Sequence, residues 1–378
     1  MMPSIHRIVV LSIVTMSLLV AGLAAAQEQP PQWTSVGITG GAAYELAVAP
    51  VASKDGLQRI YATGLGIQST TRGDPWLPLP GTEPMTNVRA GPGDVVFVTD
   101  GQGRAYRSGT LGRNWGRIYL RTDNPPFRFT AVSPNHAADR TVFAVTEGEW
   151  RLYRSGSGGE SWTEVTLALG AKDQIGALAF SPRYRDDEIM FIGADRGIFK
   201  WIVADQSWQL VSAAGQAPAF GAAGGPLATQ DLLVPEEYGD DPLRARDPVV
   251  HTLFARNAAG IYRSDDDGVT WRKLPLPGAV AQVNGLAVSN GWPVDPVLVV
   301  AGEGPGVIGA VSHDDGATWS LIPGRDGLVG TSVVMSRDFM TIPRADITRP
   351  VVFLPVTMQN FAGPYVKPTI GSREVFLA

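Results

Sequence analysis

Tryptophan recurs along this chain at a near-regular interval. Seven of its ten tryptophans are Trp33, Trp76, Trp115, Trp162, Trp208, Trp271 and Trp319. Six of these end an eight-residue pattern that begins seven positions earlier. It is clearest in Ser264-Asp265-Asp266-Asp267-Gly268-Val269-Thr270-Trp271 and Ser312-His313-Asp314-Asp315-Gly316-Ala317-Thr318-Trp319. A period of about 40–50 residues marks a propeller or solenoid, in which each repeat is one supersecondary unit.

Worn copies keep the spacing. Ser69 leads through Thr71 and Gly73 to Trp76, Ser108 through Thr110 and Gly112 to Trp115, and Ser155 through Ser157 and Gly159 to Trp162. The copy from Trp201 to Trp208 keeps the final aromatic alone, with Val203 in the aspartate position. The residue types suit a hairpin turn. A short Asp accepts hydrogen bonds from turn N–H groups, Gly supplies a positive φ, and Trp packs its apolar surface between neighbouring sheets. Local hydrogen bonding thus accounts for Asp266 and Asp314 without a catalytic role.

A second pattern precedes each turn. Ser133-Pro134 is followed by Asp139 and then Val142-Phe143, and Ser181-Pro182 by Asp187 and then Met190-Phe191. Ala49-Pro50 with Asp55, and Ser289 with Asp295, continue the series. Each reads as a strand, a polar turn and a second strand. A third strand such as Gly260–Ser264 follows, and the tryptophan opens a fourth. Four antiparallel strands per repeat make a propeller blade.

The eight-residue pattern resembles the Asp-box, or BNR repeat, of sialidase-like β-propellers, written Ser-x-Asp-x-Gly-x-Thr-Trp. The resemblance covers about residues 33–360. It makes Ser264, Asp266, Gly268, Trp271, Ser312, Asp314, Gly316 and Trp319 structural turn residues. The chain is similar to exported single-domain Asp-box propellers, a group that includes the photosystem II assembly factor family. It is distantly similar to xyloglucanase-type propellers as well.

The expected fold is therefore all-β. Patterns beginning at 69, 108, 155, 201, 264 and 312 give six blades. After Trp319, Thr331–Met335, Pro350–Leu354 and Tyr365–Lys367 offer three more strands, and Trp33–Val36 offers a fourth. The expectation is a seven-bladed propeller of four-stranded antiparallel blades. N- and C-terminal strand pairing would close it and remove free sheet edges. Six blades with a C-terminal hairpin is the alternative.

Residues 1–26 stand apart. His6 and Arg7 precede an apolar run ending Gly22-Leu23-Ala24-Ala25-Ala26, which reads as a secretory signal peptide cleaved after Ala26. An uncleaved anchor, the competing reading, is the one route to a membrane. Either places the protein outside the cytoplasm. Residues 27–32 form a linker, and 33–378 form the propeller domain with insertions at 212–226 and 235–248. The chain has no cysteine, so an exported form relies on its packed core rather than on disulfides. A net charge of −5 with no basic stripe excludes nucleic acid as the expected partner. The expected state is a monomer.

First-to-second and third-to-fourth strand turns share one face of a propeller. The resemblance puts function on the other face, built from second-to-third turns and blade connections. Those turns contain Asp100, Glu147, Asp195, Asn257 and Glu303, with Arg128, Trp150, Lys172, Arg196, Arg256 and Arg325 on the same expected face. They form a candidate binding ring. Glu147, Asp195 and Glu303 are its candidate catalytic carboxylates.

Other chemistry finds little support. The sialidase Arg-Ile-Pro signature is absent, and Glu237-Tyr238 are adjacent rather than brought together from afar. No Cys, Gly-x-Ser-x-Gly elbow or paired-His metal motif exists, and the mature histidines are His136, His251 and His313. Asp265-Asp266-Asp267-Gly268 lacks the downstream Glu of a calcium loop. No metal or cofactor is expected. The expected function is a binding scaffold for a protein or glycan. A glycan-active hydrolase using carboxylates of the same face is the alternative.

Overall fold

The structure is a computed structural model. It describes residues 43–50, 57–71, 75–81, 84–120, 125–167, 174–202, 207–213, 231–239, 250–257, 260–325 and 327–335, with short strands at Thr34–Ser35, Val352–Leu354, Val356–Met358 and Val375–Leu377. The signal peptide, the linker, Trp33, Lys172, Tyr365–Lys367 and most of both insertions lie outside the described residues.

Six four-stranded antiparallel blades follow one another along the chain. Their first strands are Leu46–Val48, Met85–Ala90, Phe127–Val132, Ile175–Phe180, Asp231–Leu233 and Gln282–Val288. Three further strands follow each, hydrogen-bonded in sequence order. Second strands such as Val142–Thr146, Met190–Ala194 and Leu253–Asn257 are buried along their whole length. They are mostly apolar because both faces are covered by neighbouring blades, with Arg256 and Asn257 among the buried polar exceptions. Fourth strands such as Thr163–Val165 are largely exposed.

The cores lie between blades. Val95 and Phe97 of the second blade pack with Phe127, Val142 and Tyr153 of the third. Phe191 and Ile198 of the fourth pack with Leu253, Tyr262 and Trp271 of the fifth. Each blade buries its faces only against its neighbours, which is why the pattern must repeat.

Among the described residues the expected seventh blade is not formed. The strands after Trp319 make two other sheets. Leu328–Gly330 pairs antiparallel with Val356–Met358. Val334–Met335, Val352–Leu354, Val375–Leu377 and Thr34–Ser35 form the second sheet, in which the last two strand pairings are parallel. Parallel neighbours need a crossover, whereas a blade is made by tight hairpins between successive strands. No eight-residue turn follows Trp319 to supply such a hairpin. Among the described residues the count is six blades rather than seven.

The eight-residue turns of the fifth and sixth blades share one hydrogen-bond scheme. Ser264 Oγ donates to Asp266 Oδ1 at 2.8 Å and accepts from Gly268 N at 2.9 Å. Asp266 also accepts from Thr270 N at 2.8 Å and Thr270 Oγ1 at 2.6 Å, and Trp271 Nε1 donates to the Gly268 carbonyl at 2.8 Å. Ser312 through Trp319 repeat every bond. In the worn copies of the second and third blades a hydroxyl replaces the carboxylate. Asn114 N donates to Thr110 Oγ1 at 3.1 Å, and Ser161 N to Ser157 Oγ at 2.9 Å. The turn tolerates loss of the charge because its needs are met by one acceptor oxygen four residues upstream.

This scheme sets a pH dependence. Some burial raises the Asp266 pKa, but the bonds from Thr270 and Ser264 outweigh it and hold the carboxyl below the usual range. A depressed folded pKa stabilises above the unfolded value of about 3.9 and is lost as pH falls through the folded one. Asp266→Asn should therefore be less stable than the parent at pH 7. The difference should shrink progressively as pH falls below the unfolded value of about 3.9, as read by urea unfolding across an acid pH series.

The first-to-second turns are built similarly. Ser133 Oγ donates to Asp139 Oδ2 at 2.7 Å while Thr141 N donates to Oδ1 at 2.7 Å. Ser181 and Asp187 do the same at 2.5 Å, with Ile189 N as the second donor at 2.9 Å. One helical turn fits inside each, His136–Asp139 and Tyr184–Asp187, where the sequence pattern reads as a polar turn.

The insertions need redrawing. Ser212 and Ala213 belong to the fourth strand Ser207–Ala213, where Ala213 pairs with Gly197. Tyr238, in the second insertion, is buried against Phe191.

Candidate functional site: the central channel

First strands of all six blades, with Thr331–Val334, surround a channel of about 1290 Å³. Asp100–Gly103, Pro126 and Glu147 extend its wall at one end. Four acidic side chains line it: Glu45, Asp100, Glu147 and Asp231.

Each of the four meets an arginine. Arg89 Nη1 donates to Glu45 Oε1 at 2.5 Å, and Arg256 Nε to Asp231 Oδ2 at 2.5 Å. Arg104 Nε donates to Asp100 Oδ2 at 2.5 Å. Arg128 Nη1 lies 3.6 Å from Glu147 Oε2. Charge-assisted bonds of this kind hold long side chains in one geometry.

The pairs also tie blades together. Val88 N donates to Glu45 Oε2 at 2.9 Å, joining the first and second blades. Arg256 Nη1 donates to the Val283 carbonyl at 3.0 Å, joining the fifth and sixth. Asn87 Nδ2 reaches the Arg128 carbonyl at 3.1 Å, and Asn284 Nδ2 the Gly330 carbonyl at 2.9 Å. Thr331 Oγ1 donates to the Ala43 carbonyl at 2.8 Å. Burial opposes the charge on Arg89, but Glu45, and beyond it Asp231, hold its pKa above the ordinary value. Arg89 is thus a fixed cation of the channel wall.

The expected ring of acids divides. Asp100 and Glu147 line the channel, whereas Asp195, Asn257 and Glu303 do not. Asp100 is buried and accepts from Gln102 N and Arg104 N at 2.9 Å, so its turn already uses it. Asp195 Oδ2 accepts from Gln174 N at 3.1 Å. Asn257 is fully buried in a hairpin opposite Gly260, and Glu303 stands opposite Gln282 in the sixth blade. Glu147 is the exposed acid among those lining the channel mouth.

The expected cations and aromatic divide as well. The Arg128 guanidinium lies 4.7 Å from the Trp150 ring centre, so Arg128, Trp150 and Glu147 form one cluster at the mouth. Arg256 is 8% exposed and sits deep in the wall. Arg196 and Arg325 are exposed outside the channel. Glu237 and Tyr238 do not form a catalytic pair. The Tyr238 hydroxyl donates to Asp267 at 2.5 Å, and burial and that bond push its pKa far up.

Glu45, Asn87, Arg89, Asp231 and Asn284 escaped the sequence reading. A signal existed. Met85-Thr86-Asn87-Val88-Arg89 and Gln282-Val283-Asn284 place polar residues inside first strands, where a covered strand would be apolar.

No family model matches this chain, and no curated protein matches it. Solved structures do. A structure titled "YCF48 bound to D1 peptide" is 16% identical over 80% of this chain and 88% of that one, with a TM-score of 0.51. YCF48 from Cyanidioschyzon merolae gives 15% identity, 80% and 92% coverage, and a TM-score of 0.53. The Niastella koreensis GH74 enzyme gives 16%, with 79% of this chain on 50% of that one, and a TM-score of 0.56. At such identity the likeness is one of fold: the chain is a β-propeller.

Proposed function

We propose that this protein is a non-enzymatic binding propeller of the Asp-box kind, working outside the cytoplasm as a monomer. It holds a segment of a protein at the channel mouth, against Arg128, Glu147 and Trp150. The observation that carries this reading is the matching of all four channel-lining carboxylates with arginines. A glycosidase needs one carboxyl kept protonated and a second free to act on the other side of the bond. Carboxylates tied to guanidinium groups suit holding a polar chain. YCF48, whose fold this chain shares, is seen bound to a peptide. The repeated eight-residue turns support the Asp-box grouping, and the apolar run before Ala26 supports export.

The reading is tested with a peptide array and a glycan array probed by the purified protein, with reducing-sugar release followed in parallel. Saturable peptide binding, weakened about tenfold or more by Trp150→Ala, is expected if an aromatic anchor of about 2 kcal/mol is lost. Sugar release abolished by Glu147→Gln would replace this reading with the hydrolase. Glycan retention without turnover would keep the scaffold and change its ligand.

A further inference from the structure

The fourth residue of the eight-residue turn recurs at one spot. Leu111, Gly158, Asp267 and Asp315 have φ of 59°, 72°, 60° and 59°. Each N–H donates to a carbonyl of its own blade's first-to-second turn: Leu111 to Asp94 at 3.1 Å, Gly158 to Arg140 at 2.8 Å, Asp267 to His251 at 3.0 Å and Asp315 to Pro296 at 3.0 Å. The four positions are therefore equivalent.

In the fifth and sixth blades that residue is an aspartate with a cation from the preceding blade. Lys200 Nζ lies 2.9 Å from Asp267, and Arg263 pairs with Asp315. Lys200 and Arg263 each stand one residue before their own blade's turn. A ring nitrogen from the first-to-second strand connection completes each group: His251 Nδ1 at 3.1 Å from Asp267, and Trp292 Nε1 at 3.1 Å from Asp315. At the second blade the preceding residue is the neutral Gln68, and the fourth position is the apolar Leu111.

The third blade has the cation without the carboxylate. Arg107 holds the place of Lys200 and Arg263, but it faces Gly158. A Cβ on Gly158 would lie 3.4 Å from Arg107 Nη2, 3.4 Å from Arg140 Nε and 3.5 Å from His136 Nε2. His136 is 5% exposed, and neither its Nε2 nor Arg107 Nε has a hydrogen-bond partner. Burial, then Arg107, holds the His136 pKa below its usual value. The carboxylate at hand is the exposed Glu160, whose Oε1 lies 2.9 Å from Arg140 Nη2 and 3.8 Å from Arg107 Nη1. It bridges the two arginines and makes no bond to His136 Nε2.

We propose that the notch at Gly158, walled by Arg107, His136 and Arg140, binds a small oxyanion of the phosphate or sulfate class. One anion oxygen takes the place that the side chains of Asp267 and Asp315 occupy two and three blades further on. Three nitrogen donors converging on one point recognise an oxyanion through short charge-assisted bonds. Glu160 competes for the same arginines. The notch lies on the face of the eight-residue turns, apart from the channel mouth.

The test is calorimetric titration of the purified full chain with inorganic phosphate at constant ionic strength. Saturable binding is expected, strengthened several-fold in Glu160→Ala and lost in Arg107→Ser. Gly158→Asp should abolish binding and raise the unfolding midpoint, since Asp is already accepted at the same φ in two blades. Phenyl phosphate separates the two sources of this chemistry: equal binding supports a site for a phosphorylated ligand, and binding of inorganic phosphate alone supports a free-ion site. Absence of saturable phosphate binding in both the parent and Glu160→Ala would overturn the proposal, as would binding unchanged in Gly158→Asp or Arg107→Ser.

Discussion

Replacing Trp271 with alanine should lower the unfolding free energy by about 3–5 kcal/mol, the usual cost of deleting a large buried aromatic. Trp271 is 4% exposed and packs with Phe191, Ile198, Leu253 and Tyr262 from two blades. The substitution opens a cavity at the interface between them and leaves the Gly268 carbonyl without its indole donor. Trp162, half-buried in the same place of the third blade, should cost clearly less. Urea unfolding of both variants checks the pair. Equal losses would mean that the turn rather than the blade interface sets the contribution.

Arg256→Ala should cost up to about 3 kcal/mol, because removing one partner of a buried pair leaves the other charge uncompensated. The low end of the usual range applies, since Asp231 keeps 33% of its side chain exposed to the channel. The link to the Val283 carbonyl in the next blade goes with it, as does the fixed orientation of Asp231. The double variant Arg256→Ala with Asp231→Ala should recover much of the loss, as removing both charges removes the desolvation penalty. A double variant no more stable than Arg256→Ala would show that the link to Val283, not the ion pair, dominates. Peptide binding at the mouth should survive, because Arg128, Glu147 and Trp150 belong to the third blade.

Much of the fold was legible. The tryptophan spacing, the two turn patterns and the apolar second strands each predict a four-stranded repeat, and they agree with one another. Blade number was less so. Short strands after Trp319 look alike in sequence whether they pair in parallel or in antiparallel fashion, because pairing direction depends on which segment arrives alongside.

The candidate site was legible only in part. Chain position does put Asp100 and Glu147 near the channel. It does not separate Glu147, open at the mouth, from Asp195, bonded to the Gln174 N–H, since the two occupy matching positions in neighbouring repeats. The four carboxylate–arginine pairs involve separations from four residues to more than forty. No local pattern carries such a pairing.

The sequence by itself determined the repeat, its turn chemistry and the apolar interior of the blades. Those features rest on hydrogen bonds and periodicities spanning a few residues. Tertiary structure alone decided the blade count, the charge-matched channel and the empty aspartate position at Gly158. Each depends on segments and side chains from distant parts of the chain meeting, and the fold brings together residues that the chain keeps far apart.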